Sequence, residues 1–560
     1  MAGILRKKFL VLGLVTAAGL VLLVACGTMN SSADKAAGPN ASFNPAAGGT
    51  GNNNNGSGFE IASSTGGTPP EQKVTLAVEV PQASQNYVYA ANPDRDSVAV
   101  INPVNLSIQT VAVDSAPHGL RTVSNQDSAI VVNTGASTVS VLHTDGSGTQ
   151  SVTLPVMIGA NVVSVAPDGK HALVYFDASM PTAGPPSESP KRMTALDLTK
   201  APPIAYSVTV GYHPSSVTYS TDSTNAYVVS DDGVSDLVFG QLATPAQRTA
   251  VPVPLYDATD TATANIFVTP DGAYAIAHQP GSPDLRLVDL AVKDRVDLSL
   301  SDFFSSPNSD AGLASIDVSD VEVAPDGSFL LAVVRDQKTL LRVPIPLGFE
   351  DKSQVQRIDL PNVITGVANV GPNGHYALLY TTVPSLNEQR VSILDLTGKM
   401  PIQVINLHKT INAVAFDPTG SKAYVLHNRI APNPSIPDVT QDAITAHSYG
   451  YSVVDLASAT STLQLTPSQP GSLAALPDGT AMFLLFPDVY PYQVQRIDLI
   501  GFSVDPVEIG SKPTGIGFVK MAKQVFVSQV HPEGRMTFID WTSLHVKSVT
   551  GYELNSSIWE

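Results

Sequence analysis

Cys26 is the only cysteine among 560 residues, and a lone thiol can neither staple its own chain nor complete a Cys/His metal set. The remaining groups able to ligate or move protons are eleven histidines and a recurring series of aspartates. His118 in APHGL and His213 in GYHPSSV precede apolar runs, while His427, His447, Tyr490 and Tyr492 decorate long polar loops between second and third strands. These six are the candidates for contacting a ligand, although a histidine just ahead of a strand more often bonds the backbone than a metal. Six aspartates close similar segments, at Asp197, Asp289, Asp395, Asp455, Asp498 and Asp540. A carboxylate in that position accepts hydrogen bonds from the next backbone N–H groups and fixes a turn, a reading that also fits Asp168, Asp271, Asp326 and Asp478 in Pro-Asp-Gly triplets. The chain has no G-x-S-x-G elbow, H-E-x-x-H pair, phosphate loop or dinucleotide fingerprint. NPDRDS from Asn92 is a fragment of a calcium loop and reads as a turn. Enzymatic chemistry thus has no positive indication in linear motifs, and neither a cofactor nor a metal is expected.

The surroundings of Cys26 point to a different use for its sulfur. Arg6, Lys7 and Lys8 give a basic start, and the run from Phe9 to Ala25 is apolar, the order of an export signal. That run falls short of the ~20 residues that span a bilayer as a helix, and a polar tail follows at once. Leu23-Val24-Ala25-Cys26 resembles the lipobox of bacterial lipoproteins. The resemblance implies cleavage before Cys26, acylation of that residue, and tethering to a membrane. Gly27 lacks the acidic character that retains many such proteins at the inner membrane, which implies the outer membrane and leaves open which side the body faces.

Residues 1–25 are accordingly read as a signal peptide, 26–72 as a lipidated cysteine with a disordered Gly/Asn/Ser linker, and 73–560 as the folded body. The linker, with four asparagines at 52–55, has too little apolar surface to offset the entropy of ordering it. Some 46 such residues would hold the body roughly 35–40 Å from the lipid. Removing residues 1–25 takes away three of 31 basic residues and none of 49 acidic ones, leaving a formal charge of −21. That balance argues against nucleic acid as a partner.

The strongest signal in the body is a repeat. An alternating apolar run, a tight Asp- or Asn-containing turn and a second apolar run recur from Val74, Gly119, Val162, Ser216, Ile266, Val321, Gly366, Ala413, Ser472 and Gly515, at intervals of 43 to 59 residues. Each copy reads as a β-hairpin, followed by a third strand, often ending in aspartate, and a looser fourth. Stacked four-stranded antiparallel sheets of this kind make an all-β propeller. SVAPDGKHALVY and KAYVLHN resemble the YVTN-type repeats of bacterial and archaeal surface propellers, over nearly all of residues 74–552. Ten units exceed the usual four to eight blades. One wide ring is favoured over two rings or a ring with partial units.

If the strands run outward from the axis, the tight turns after first and third strands share one face, and the second-to-third loops and inter-repeat connections share the other. Insertions at 177–191, 381–389, 428–450, 486–492, 256–264 and 299–318 all fall on that second face, which is nominated for binding. The leading expectation is a lipid-anchored, non-catalytic module of the bacterial envelope that binds a protein or glycan there. Two alternatives are a propeller enzyme, similar to lactonases or dehydrogenase subunits with a site in the axial channel, and an envelope-assembly factor.

Overall fold

The computed structural model describes residues 81–178, 189–255, 265–279, 282–304, 316, 318–431, 440–552 and the backbone of 558–559. Among them the strands form ten separate antiparallel sheets, each built from consecutive strands. These blades span 82–112, 117–155, 162–209, 216–238, 265–299, 320–359, 367–406, 411–466, 473–508 and 513–550, and are numbered 1 to 10 below. The stretch from Val74, read as the start of the first repeat, lies outside the described residues up to position 80.

Strand periodicity explains how the blades stack. In the second strand of blade 2, Ser128–Asn133, every residue is buried. Ala129 and Val131 pack with Tyr89, Val98 and Val100 of blade 1, while Ile130 and Val132 pack with Val163, Ala172 and Val174 of blade 3. Alternate side chains leave opposite faces of a strand, so the central positions of a strand between two neighbours are all apolar, as in Ala129 to Val132. Blade 6 repeats the pattern: Leu330, Ala332 and Val334 face blade 5, and Phe329, Leu331 and Val333 face blade 7. Each fully buried aliphatic or aromatic side chain contributes about 1.5–3 kcal/mol.

Nine such clusters join consecutive blades, and a tenth joins the ends. In the tenth, Val88, Ala90, Ala99 and Ile101 of blade 1 meet Val519, Phe526, Met536 and Phe538 of blade 10. The ten units therefore form one closed ring. Its closure exchanges no strand between the described strands of blades 1 and 10; it rests on packed faces and a hydrogen bond from the Met521 N–H to the Gln85 carbonyl (3.0 Å).

First strands line the axis, where they reach one another directly. The Thr122 hydroxyl donates to the Ala83 carbonyl (3.0 Å), and the Tyr219 hydroxyl to the Ser164 carbonyl (2.9 Å). Blade 4 departs from the expected four strands, with three in its ladder. After its third strand the chain crosses to blade 3, where Thr209 N–H bonds Arg248 O (2.8 Å) and Ala250 N–H bonds Thr209 O (2.9 Å). It then returns to pair only Val253 with Val234. Pro252 and Pro254 flank Val253 and have no N–H to give a ladder, which is why no fourth strand extends there. Blade 10 instead gains a fifth strand, Ile558–Trp559.

Candidate functional site on the loop-bearing rim

The two faces of the ring are built differently, and the difference starts with the repeated aspartates. The six third strands end at Asp197, Asp289, Asp395, Asp455, Asp498 and Asp540, and each carboxylate accepts from the backbone that follows. Asp395 takes the N–H groups of Thr397 (2.8 Å), Lys399 (3.1 Å) and Met400 (2.9 Å). Asp498 takes those of Ile500 and Gly501 at 2.8 and 2.7 Å. The Thr397 hydroxyl at Asp395, the Gly501 N–H at Asp498 and the Ser543 N–H at Asp540 lead the bonds that hold these carboxyls below their ordinary range. The hairpin-turn aspartates behave alike, with Asp326 accepting from Ser328 N–H (3.0 Å) and Asp478 from Thr480 N–H (3.0 Å).

These turns also touch from blade to blade. Asp127 in the blade 2 turn accepts from the Ser84 hydroxyl (2.8 Å) and the Asn86 N–H (2.9 Å) of blade 1, and the Asn373 amide of blade 7 donates to Thr419 O of blade 8 (2.9 Å). Gly272 has φ of +67°, and a Cβ there would overlap the Tyr227 ring of blade 4. A Cβ on Gly169 would sit 2.8 Å from Ser124 O of blade 2. Glycine in the Pro-Asp-Gly turn therefore permits both the left-handed backbone and the approach of the next blade.

The opposite rim carries the irregular connections, and the second-to-third loops there bond to the inter-blade links. Asp231 N–H meets Tyr212 O (2.8 Å), Asn428 N–H meets Thr410 O (3.0 Å) and Val530 N–H meets Lys512 O (2.8 Å). The NPDRDS segment is one of these loops, a 3-10 turn over Pro93–Arg95. The insertion at 256–264 and parts of those at 177–191, 299–318 and 428–450 fall outside the described residues.

The candidate residues are spread around this rim. His118 is exposed on the first strand of blade 2. His213, at the start of blade 4, holds φ of +50°, meets the Tyr212 ring at a tilt of 42° and pairs its Nδ1 with Asp231 Oδ2 at 3.0 Å. Both partners of that pair are about half exposed or more, 51% and 64%, so water screens it. His427 needs correction. It does not decorate a loop but ends the strand Lys422–His427, 5% exposed, with Nε2 2.7 Å from the Ser452 hydroxyl. Burial pushes its imidazole down to about 3. The reason is period two: His427 continues the inward row of Ala423 and Val425, which pack against blade 7.

His447, Tyr490 and Tyr492 do share a sector, on blades 8 and 9. His447 ends a short helix, Gln441–His447, capped by the Thr440 hydroxyl, which accepts from Ala443 N–H (3.1 Å). Tyr490 is 87% exposed and meets the half-buried Tyr492 edge to face at 5.8 Å. Residues not singled out from the sequence complete the sector. Ile430 and Ile444 of blade 8 and Val530 of blade 10 are exposed apolar side chains on the same class of loop. Beneath the helix lies Lys409, 3% exposed, whose Nζ donates to the carbonyls of Thr445 (2.7 Å) and Ser448 (2.8 Å). A cation suits a helix C-terminus, and burial, followed by the repulsion of Arg429, lowers this ammonium to about 8. Arg429 itself stacks on Tyr449 at 4.1 Å. On blade 7, Glu388 clamps the rim by accepting from Arg390 Nε and Nη2 (2.7 Å each) and from Ile364 N–H (3.0 Å). Nothing in LHKTIN marks Lys409 as buried; only the fold of the distant insertion covers it.

No group of three or more His, Cys, Asp or Glu side chains able to hold a metal occurs among the described residues. The rim offers apolar and aromatic surface on a fixed base, which suits docking. The class that these ten interfaces and two unlike faces define is a ten-bladed β-propeller. No family model matches the chain, and no curated protein matches it in sequence. Solved structures similar to it include hydrazine synthase of Kuenenia stuttgartiensis, 14% identical over 60% of this chain and 95% of that one, with a TM-score of 0.31. Another is the dihydro-heme d1 dehydrogenase NirN in complex with DHE, 14% identical over 78% of each chain, with a TM-score of 0.38.

Proposed function

We propose that this chain is a lipoprotein of the bacterial cell envelope, with YVTN-type repeats, moored through Cys26 to the outer membrane, that acts as a non-catalytic binding module for a protein. Its binding surface is the sector of loops on blades 8 to 10. The supporting observation is that Ile430, Ile444, Tyr490 and Val530 stay exposed on three consecutive blades, above a base secured by the buried Lys409. Solvent-facing aromatic and aliphatic side chains held on a rigid frame are the composition of a protein interface core.

Two measurements test this reading. Cys26→Ala should move the protein from the membrane fraction to the soluble fraction, and retention in the membrane would refute the tether. Cross-linking in intact cells should yield a partner that is lost with Tyr490→Ala combined with Ile444→Ser. The same partner should be kept with Ile500→Ser, a well-exposed residue (79%) on the turn face. Equal loss in both variants would refute the assignment to this rim.

A further inference from the structure

The segment that leaves blade 4 in place of a fourth strand is fastened to blade 3 at its two ends. At the near end Phe239 follows directly on the third strand, Gly233–Val238. Its ring lies parallel to the His171 imidazole of blade 3, with centroids 4.3 Å apart and planes within 1°. Tyr219 stacks behind Phe239 at 6.2 Å. At the far end Arg248 lies over the Tyr206 ring (4.8 Å), beside the bonds that Arg248 and Ala250 make to Thr209. Between the two ends only Leu242 is buried, and the rest of residues 240–247 is exposed. The near end therefore depends on one aromatic stack and one leucine.

His171 brings a titratable ring to that stack. It is half-buried, and its Nδ1 is fully buried with no hydrogen-bond partner among the described residues. A neutral imidazole accepts this, because the nitrogen left inside carries only a lone pair. An imidazolium carries N–H on both nitrogens, and a charged donor buried without an acceptor is strongly unfavourable. Burial accordingly leads the balance that pushes this ring below its ordinary value, against the pull of Asp197 and Asp168.

The charged groups around the ring all lie on its own blade. Asp197 is its cross-strand partner on the third strand, Asp168 and Lys170 belong to the hairpin turn, and Lys200 follows the third strand. Lys170 pairs with Asp168 at 3.2 Å, and Lys200 with Asp197 at 3.7 Å. From blade 4 the ring meets Phe239 with Tyr219 behind it, and the Tyr219 hydroxyl is donated to Ser164. Acceptors for a second N–H thus stand on blade 3 and the aromatic partner on blade 4. A ring that turns toward a carboxylate gives up the stack.

We infer that His171 is a pH-sensitive latch: neutral, it holds the segment Phe239–Ala250 against blade 3; protonated, it turns to Asp197 or Asp168, leaves Phe239 and loosens that segment while the propeller stays closed. The latch is complete above the ordinary histidine value of about 6.5 and weakens as pH falls below it. Hydrogen–deuterium exchange of the purified protein measures this on peptides covering residues 239–250, at about pH 7.5 and about pH 5, corrected for the intrinsic pH dependence of exchange. An aromatic stack amounts to about 2- to 12-fold in an opening equilibrium, so exchange there should rise by about that factor at the lower pH. Peptides from blade 6, which contains no histidine, should not change. His171→Phe keeps a ring against Phe239 and takes no proton; it should match the parent at the higher pH and show no rise. His171→Ala should exchange faster than the parent at the higher pH and gain nothing further on acidification. No rise in the parent, an equal rise in His171→Phe, or an equal rise in blade 6 would each overturn the inference.

Discussion

Replacing Gly272 by alanine tests whether the turn face is an interlock or merely a set of tidy turns. The substitution incurs two separate costs. Alanine at φ of +67° loses about 1–2 kcal/mol to the left-handed conformation. Its Cβ would also occupy the space of the Tyr227 ring, which is 6% exposed and packed among Val229, Ala275, Ala277 and Val288. Displacing a packed side chain costs typically ~1–3 kcal/mol. Gly374→Ala, at φ of +68° with nothing within 4 Å, bears only the first cost. Reduced freedom of the unfolded chain, ~0.4–1 kcal/mol, favours both variants equally and cancels in the comparison. Gly272→Ala should therefore be less stable than Gly374→Ala by about 1–3 kcal/mol. Urea-unfolding midpoints of the two variants and the parent, compared at one protein concentration, read this directly. Equal midpoints for the two variants would refute the claim that turn glycines exist to admit the neighbouring blade.

Three further outcomes follow from the same fold. Phe538→Ala removes a fully buried ring from the seam between blades 10 and 1 and should cost about 3–5 kcal/mol; limited proteolysis should then cut first within blade 1 or blade 10, and cleavage elsewhere would count against closure by that seam. At Asp455, burial pulls the carboxyl up, but the Lys422 ammonium (2.8 Å) and the Ser458 N–H (2.9 Å) outweigh it and hold the group at about 2. A depressed folded value gives stability that is present above about pH 4 and lost as pH falls through about 2. After discount for a one-third exposed carboxylate, Asp455→Asn should lose about 1 kcal/mol at pH 6 and almost nothing at pH 2, and a pH-independent loss would refute the linkage. Lys409 carries the opposite charge: its ammonium, lowered to about 8, is released by the folded state before the unfolded one, so stability relative to Lys409→Met should rise between pH 8 and 10. At pH 7 that variant should still be destabilised by about 1–3 kcal/mol, because the Thr445 and Ser448 carbonyls lose their donor, and a flat difference across the pH range would contradict the buried placement.

Much of the frame was legible because its rules are local. The six aspartate-terminated third strands end at the residues read from the sequence, since a carboxylate that accepts the next two N–H groups is a signal contained in three or four residues. The ten hairpins were visible for the same reason. Closure into one ring was not local: Phe538 meets Ala90 across more than four hundred residues, and no short window contains that pairing. Blade 4 lost its outer strand to a signal that was present, Pro252 and Pro254, but that matters only once the ladder position of Val253 is known. His427 borders the 428–450 insertion and so reads as a loop residue, whereas counting by twos from Ala423 places it in the wall against blade 7. The exposed sector on blades 8 to 10 was legible only through its tyrosines. Ile430, Ile444 and Val530 look like core residues in a strand-rich sequence, and only the completed fold shows that they stay exposed among the described residues.

Stacking ten blades imposes unequal freedom on the two faces. A hairpin turn beside the next blade must be short, must take a left-handed residue and must leave room for its neighbour, so Asp and Gly recur there and variation is suppressed. A loop between second and third strands meets only the inter-blade link beneath it, and can lengthen without disturbing a joint. Insertions at 381–389, 428–450 and 486–492 follow from that freedom, which is why the loop-bearing rim is the place to seek a partner. The converse also occurs. A turn on the constrained face that gives up its contact, as at Gly374 of blade 7, forgoes packing that other turns use, and the buried carboxylates of Asp320 and Glu322 on blade 6 fasten the same joint elsewhere.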